Sequence, residues 1–134
     1  MNSIFFALLF TSVVTGAEIS YPKAPLQKDP LEGGQSLYPG SYDAPLASGN
    51  KMVIDYIPGG NVVDPDSAFG GFARTGTSEK NTLTFKNGRV HRFVFGGFSL
   101  KGDVKKNSVI FSDGIAADAA IGKLCGGQTQ NGDL

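Results

Sequence analysis

The stretch that most limits what this chain can fold into is 82–98, TLTFKNGRVHRFVFGGF. β-Branched and aromatic residues suit a pleated, half-buried surface, and two such runs, 82–86 and 89–95, flank Asn87-Gly88. That dipeptide favours a two-residue type I′ turn, so the stretch predicts an antiparallel hairpin. In that register Lys86 faces Arg89, Phe85 faces Val90, Thr84 faces His91, Leu83 faces Arg92 and Thr82 faces Phe93. Alternation then separates two faces. Leu83, Phe85, Val90 and Val94 form the expected core face, with Arg92 as its exception. Thr82, Thr84, Lys86, Arg89 and His91 form a basic, hydroxyl-bearing face that runs into Phe93 and Phe95.

Around the hairpin lies an internal echo. AFGGFARTG at 68–76 and VFGGFSLKG at 94–102 share F-G-G-F-x-x-x-G, with Phe69 and Phe95 as equivalent positions. Double glycine lets the backbone bend while the flanking rings pack, which predicts a repeated strand corner in a curled sheet. Two copies fall short of the three or more that a stacked repeat needs to bury a continuous core. Neither copy leads into a helix, so a phosphate-cradling loop is not expected.

Elsewhere the signals are simpler. Five of the seven prolines lie within 18–50, so this segment reads as an extended arm, anchored by its Tyr and Leu residues, with at most short edge strands. KMVIDYI at 51–57 alternates as a strand, and Asp64-Pro65-Asp66-Ser67 reads as a turn. SVIFS at 108–112 suits a buried strand. Asp113 can cap a short helix over 115–121, IAADAAI, stopped by Gly122. The run 123–125 can close a sheet, and the tail 126–134 should be flexible.

The segment 1–17 carries an apolar run, 4–10, and ends in Thr15-Gly16-Ala17, small residues of the kind a signal peptidase accepts. The run is too short for a membrane helix, so the expectation is export with cleavage after Ala17, and no membrane span. The predicted organisation is leader 1–17, arm 18–50, β-rich domain 51–125 and tail 126–134. Cys125 is the only cysteine, which excludes an intramolecular disulfide; it is either a buried apolar group or a partner for another chain. No Cys/His cluster suggests a structural metal, and no cofactor is expected.

The chain is formally neutral but its charges are segregated: 74–106 holds eight basic residues against two acidic ones, while 18–73 holds three against seven. A basic segment can attract an acidic protein, anionic lipid or nucleic acid, or pair with the acidic half of its own chain. His91 is the sole histidine. Acid–base work usually needs a carboxylate, second histidine or nucleophile beside it, and the hairpin places only Thr84, Lys86 and Arg89 there.

The strings RVHRFVFGGF, SVIFSDG and GKLCGGQT, within 89–129, resemble the small secreted guanyl-type fungal ribonucleases and the ribonuclease-like effectors of plant-pathogenic fungi. A glutamate after the histidine, a second histidine and a later arginine are lacking, so the resemblance implies a scaffold without its catalytic set. The combined expectation is a mainly β, single-domain antiparallel sandwich or partly open barrel with one short C-terminal helix. Its expected function is that of a secreted, non-enzymatic, effector-like protein. Lys86, Arg89, His91, Arg92, Phe93 and Phe95 would bind a host or other partner macromolecule, foremost a protein. The alternatives are a ribonuclease-like nucleic-acid binder and a self-assembling surface protein.

Overall fold

The computed structural model describes residues 13–28, 34–112 and 120–129. Among them the chain winds as a parallel β-solenoid. Each turn of the winding, or coil, lays one strand on each of three sheets, and the next coil adds its strands directly above. A short lead-in, β1 (Val14–Thr15), precedes coil 18–50, which contains β2 (Glu18–Tyr21), β3 (Gln27–Lys28), β4 (Gln35–Leu37) and β5 (Ala47–Ser48). Coil 51–81 contains β6 (Lys51–Asp55), β7 (Ser67–Phe69), β8 (Phe72–Ala73) and β9 (Ser78–Glu79). Coil 82–107 contains β10 (Thr82–Asn87), β11 (Arg89–Ser99) and β12 (Val104–Lys105), and β13 (Ser108–Phe111) and β14 (Ala120–Thr129) belong to the coil after it.

Sheet A runs β1-β5-β9-β12, sheet B runs β13-β10-β6-β2, and sheet C runs β14-β11-β7-β4-β3, with β8 also on β11. All pairings are parallel except β3 with β4. Rows of like residues result, such as Ile19, Met52, Leu83 and Val109, and Tyr21, Ile54, Phe85 and Phe111. Each row climbs from coil to coil at the interstrand spacing of about 4.8 Å.

This overturns the antiparallel sandwich, the hairpin register and the C-terminal helix. Asn87-Gly88 does connect two strands, but β10 and β11 lie on different sheets, and each pairs with strands one coil away. The glycine is required for another reason than a type I′ turn. Its φ is +142°, and a Cβ there would stand 2.6 Å from the Tyr56 ring. No helix occurs among the described residues. Ala120 and Ile121, the C-terminal part of the expected helix region, are in β14, and 113–119 lie outside the described residues. Positions 1–12 of the expected leader and 130–134 of the expected tail also lie outside them, whereas 126–129 are in β14. No helix among the described residues is long and apolar enough to cross a membrane.

The two FGGF copies stack directly on one another: Phe95 pairs with Phe69 and Phe98 with Phe72. A third member follows, because Cys125 aligns with Phe95 and Gly127 with Gly97. The echo is therefore the repeat of a solenoid, not of a curled sheet's corner. Close approach explains its glycines: a Cβ on Gly97 would lie 2.3 Å from the Asn107 carboxamide, and one on Gly71 2.2 Å from that of Asn81.

Two apolar clusters occupy opposite sides of sheet C. Ala68 and Val94 join Leu37, Met52, Ile54, Leu83, Phe85 and Val90 in one. Their strand neighbours Phe69 and Phe95 join Tyr38, Phe72 and Phe98 in the other. Consecutive strand residues point to opposite faces, so a single strand serves both cores. The second cluster is aromatic, with Phe72 and Phe98 stacked at 5.8 Å and Phe95 and Phe98 at 5.9 Å. Burying one such side chain is worth about 1.5–3 kcal/mol.

At the corner from sheet A to sheet B, the same device closes three successive coils. Asn50, Asn81 and Asn107 stand above one another, the first two buried completely. The Oδ1 of Asn81 accepts the N–H and Nδ2–H of Asn50 at 3.0 and 2.9 Å, and Asn107 Oδ1 accepts those of Asn81 at 3.0 and 2.9 Å. Each Nδ2 also donates backward, to the carbonyls of Val14, Ala47 and Ser78 respectively. A polar ladder inside the stack thus satisfies its own donors and acceptors.

Candidate functional site

Side-chain rows fix two of the three sides of the coils 18–50, 51–81 and 82–107. Ser36, Ser67 and Phe93 mark one row, and Ala47, Ser78 and Val104 the next, at the same separation in each coil. The step from that second row to the start of the next sheet B strand, at Lys51, Thr82 and Ser108, is equally constant. The remaining corner, from sheet B to sheet C, is variable. It runs from Glu18 to Ser36, from Lys51 to Ser67, from Thr82 to Phe93 and from Ser108 to Lys123, a different length each time.

This variable corner gathers one cluster of ionisable groups. Asp64, on the long connection between β6 and β7, lies beneath the start of β11. Its Oδ1 is 2.6 Å from the Tyr56 hydroxyl, and its Oδ2 is 3.4 Å from Arg89 Nη1 and 3.7 Å from His91 Nε2. The single phenolic proton of Tyr56 is shared between Asp64 and the Arg89 carbonyl oxygen, also at 2.6 Å, while the Arg89 N–H donates back to the Tyr56 oxygen at 3.0 Å. The ring of Tyr21 meets that of Tyr56 edge-on at 5.4 Å, and its hydroxyl donates to the Val63 carbonyl. Backbone bonds pin the opposing strand: the His91 N–H donates to Pro65 O at 3.1 Å and the Arg92 N–H to Asp66 O at 2.7 Å.

Burial, then the hydrogen bond the hydroxyl donates to Asp64, pushes Tyr56 far above the usual tyrosine range. Burial and the charge of Asp64 also raise Tyr21. Both phenols are therefore neutral donors, Tyr56 to Asp64 itself and Tyr21 to the neighbouring Val63 carbonyl. The carboxylate, with its side chain 15% exposed, in turn orients Arg89 and His91, 35% and 53% exposed, at the surface. Beside them, Tyr21, Pro22, Leu26, Gln35, Val62 and Val63 help line a depression of about 350 Å³.

The structure divides the six expected binding residues. Arg89 and His91 meet at this corner, and Lys86 is exposed at the end of β10 next to it. Arg92 is half-buried, its guanidinium 5.8 Å from the centre of the Phe93 ring. Phe93 packs against the aromatic cluster, and Phe95, 2% exposed, lies within it and offers no surface. The irregularity in register between Val90 and Phe93 separates the polar start of β11 from its apolar continuation.

Sequence alone does not single out Asp64 or Tyr56. Asp64 reads as part of a turn and is far along the chain from Arg89; only coil-on-coil stacking unites them. The ladder has a visible signal. Asn-Lys-Met-Val-Ile at 50–54, Asn-Thr-Leu-Thr-Phe at 81–85 and Asn-Ser-Val-Ile-Phe at 107–111 repeat Asn, a polar residue and two apolar positions two apart. No family model, curated protein or solved structure matches the chain.

Proposed function

We propose that this chain is an exported interaction module that binds an acidic protein partner at the variable corner of its solenoid, through Lys86, Arg89, His91 and Arg92. The carrying observation is the Tyr56–Asp64 brace, which holds Arg89 and His91 at the surface where coil length is free to vary. Pre-oriented cations give a charged partner geometry and raise its association rate more than they add raw affinity. The apolar run at 4–10 of the expected leader supports export, with 14–17 kept in the folded chain through β1 on β5 and the Ala17 N–H on Asn50 rather than removed. The eight-to-two basic excess of 74–106 supports an acidic partner.

Poly-glutamate serves as the probe. Binding measured against salt should weaken at least tenfold in the double variant Lys86→Glu, Arg89→Gln, with thermal unfolding followed alongside to keep folded protein in the comparison. Unaltered affinity in the folded double variant rules this surface out. Asp64 within 3.7 Å of His91 favours a second reading, ribonuclease-like attack on a phosphodiester. Cleavage of an RNA oligonucleotide that vanishes in His91→Ala would replace the binding reading with this one.

A further inference from the structure

The asparagine ladder defines one recurring atomic position. Twice, a side-chain oxygen of one coil sits between the backbone N–H and the Nδ2–H of the asparagine one coil earlier. Asn107 spends one amide hydrogen on the Ser78 carbonyl at 2.8 Å. Its backbone N–H and second amide hydrogen have no acceptor among the described residues. By the geometry of the two earlier rungs both face a depression of about 320 Å³, lined by Val104, Lys105, Lys106, Asn107, Gly126 and Gly127. At the same end β12 and β13 are the outermost strands of sheets A and B among the described residues, and Ile110 and Phe111 are 49% and 42% exposed.

We propose that this end of the ladder binds an extended peptide strand carrying an Asp or Asn, whose side-chain oxygen takes the two Asn107 donors while its backbone adds to β12 and β13. Strand addition at a free edge supplies main-chain hydrogen bonds, and the side chain supplies selectivity. The molecule already contains the recognition pattern. Glu79 lies beside Lys105 in parallel register, so an acidic residue two positions before the ligand's Asp or Asn meets Lys105. Lys106 adds a second cation there, which favours a carboxylate over a carboxamide. Apolar residues two and four positions after it cover Val109 and Phe111, as Val109 and Phe111 cover Leu83 and Phe85. A second copy of this chain, stacked head to tail, fits poorly: the equivalent rung of its first coil is Ala17, which bonds Asn50 through its N–H and has no side-chain oxygen.

The probe is the octapeptide Ser-Glu-Lys-Asn-Thr-Leu-Thr-Phe, the sequence of 78–85, added to the full chain and followed by amide NMR. The expected result is a shift of the Asn107 backbone and side-chain N–H signals. Binding should weaken about tenfold or more when the peptide carries Asn→Ala, and tighten with Asn→Asp. Asn107→Ala would disturb the ladder itself, so the protein-side variant is Lys105→Glu with Lys106→Glu, which should reverse the preference between the Asp and Asn peptides. Equal affinity for the Asn and Ala peptides overturns the proposal, as do shifts that leave Asn107 unmoved. Self-association of the peptide-free chain in sedimentation, abolished by the lysine variants, would assign the end to a second copy instead.

Discussion

The two ends of the sheet B strands β6, β10 and β13 meet corners of opposite character. Where sheet A turns into sheet B, the spacing is constant and one side chain recurs, Asn50, Asn81 and Asn107, making the same bonds at each step. Where sheet B turns into sheet C, lengths differ from coil to coil, and the Tyr56–Asp64–Arg89 arrangement occurs once among the described residues. Repetition in a solenoid marks what holds neighbours together, because each coil must solve the same packing problem. A charged constellation that appears in one coil answers no such recurring need. That contrast is the reason to look for recognition at the second corner and for stability at the first.

Breaking the constant corner should have the largest effect. Asn81→Ala strips the acceptor from the buried N–H and Nδ2–H of Asn50 and empties a site packed against Gly71. Leaving buried donors unpaired predicts a loss of about 3–5 kcal/mol in urea unfolding. A loss below about 1 kcal/mol, the worth of one ordinary hydrogen bond, would mean that the ladder is not what ties the coils.

The variable corner should be more forgiving. Tyr56→Phe removes the shared proton that braces Asp64 and should cost about 1–2 kcal/mol. Its sign with pH sharpens the comparison. The folded chain holds Tyr56 and Tyr21 above their ordinary value of 10.0, so the unfolded chain gives up these protons first. Their contribution is complete below about pH 10 and is lost as the pH climbs through the folded values. Stability of the parent should therefore fall at alkaline pH, and Tyr56→Phe should flatten that fall. Equal alkaline slopes in both proteins would contradict the brace.

The smallest effect concerns the position just before each rung. Gly16 and Gly49 have φ of +65° and +68°, and Lys80 and Lys106 adopt +57° at the equivalent places. A side chain there costs about 1 kcal/mol, partly offset by the entropy a glycine adds to the unfolded chain. Lys106→Gly should thus raise stability by about 0.5 kcal/mol in thermal unfolding. A loss instead would show that the lysine contributes contacts that outweigh its backbone strain.

Much of the local structure was legible in the sequence, and almost none of the pairing was. Alternation placed Leu83, Phe85, Val90 and Val94 in the core correctly, because a strand's in-out pattern is a property of the strand alone. Asn87-Gly88 suggested the neighbour in sequence as the neighbour in space. The true partners of Thr82 are Lys51 and Ser108, at unequal distances along the chain. Unequal coil lengths hid this repeat, so only the two FGGF segments read as an echo, although the asparagine motifs at 81–85 and 107–111 share their spacing. The third copy had lost its rings to Cys125 and Gln128. Arg89 and His91 were legible as candidates because they are the basic residues of a polar strand end. Their carboxylate was not, since its proximity follows from stacking rather than from any local pattern.

The variable corner also makes the solenoid a graftable frame. Its connections take a different length in every coil while both neighbouring rows keep their phase. Doubling a flexible loop costs only about 0.6 kcal/mol in closure entropy, so new segments inserted between β6 and β7 meet little thermodynamic resistance. A lineage or an engineer could exchange whole recognition loops there, one per coil, at a fixed pitch of about 4.8 Å. The asparagines on the far side would keep count.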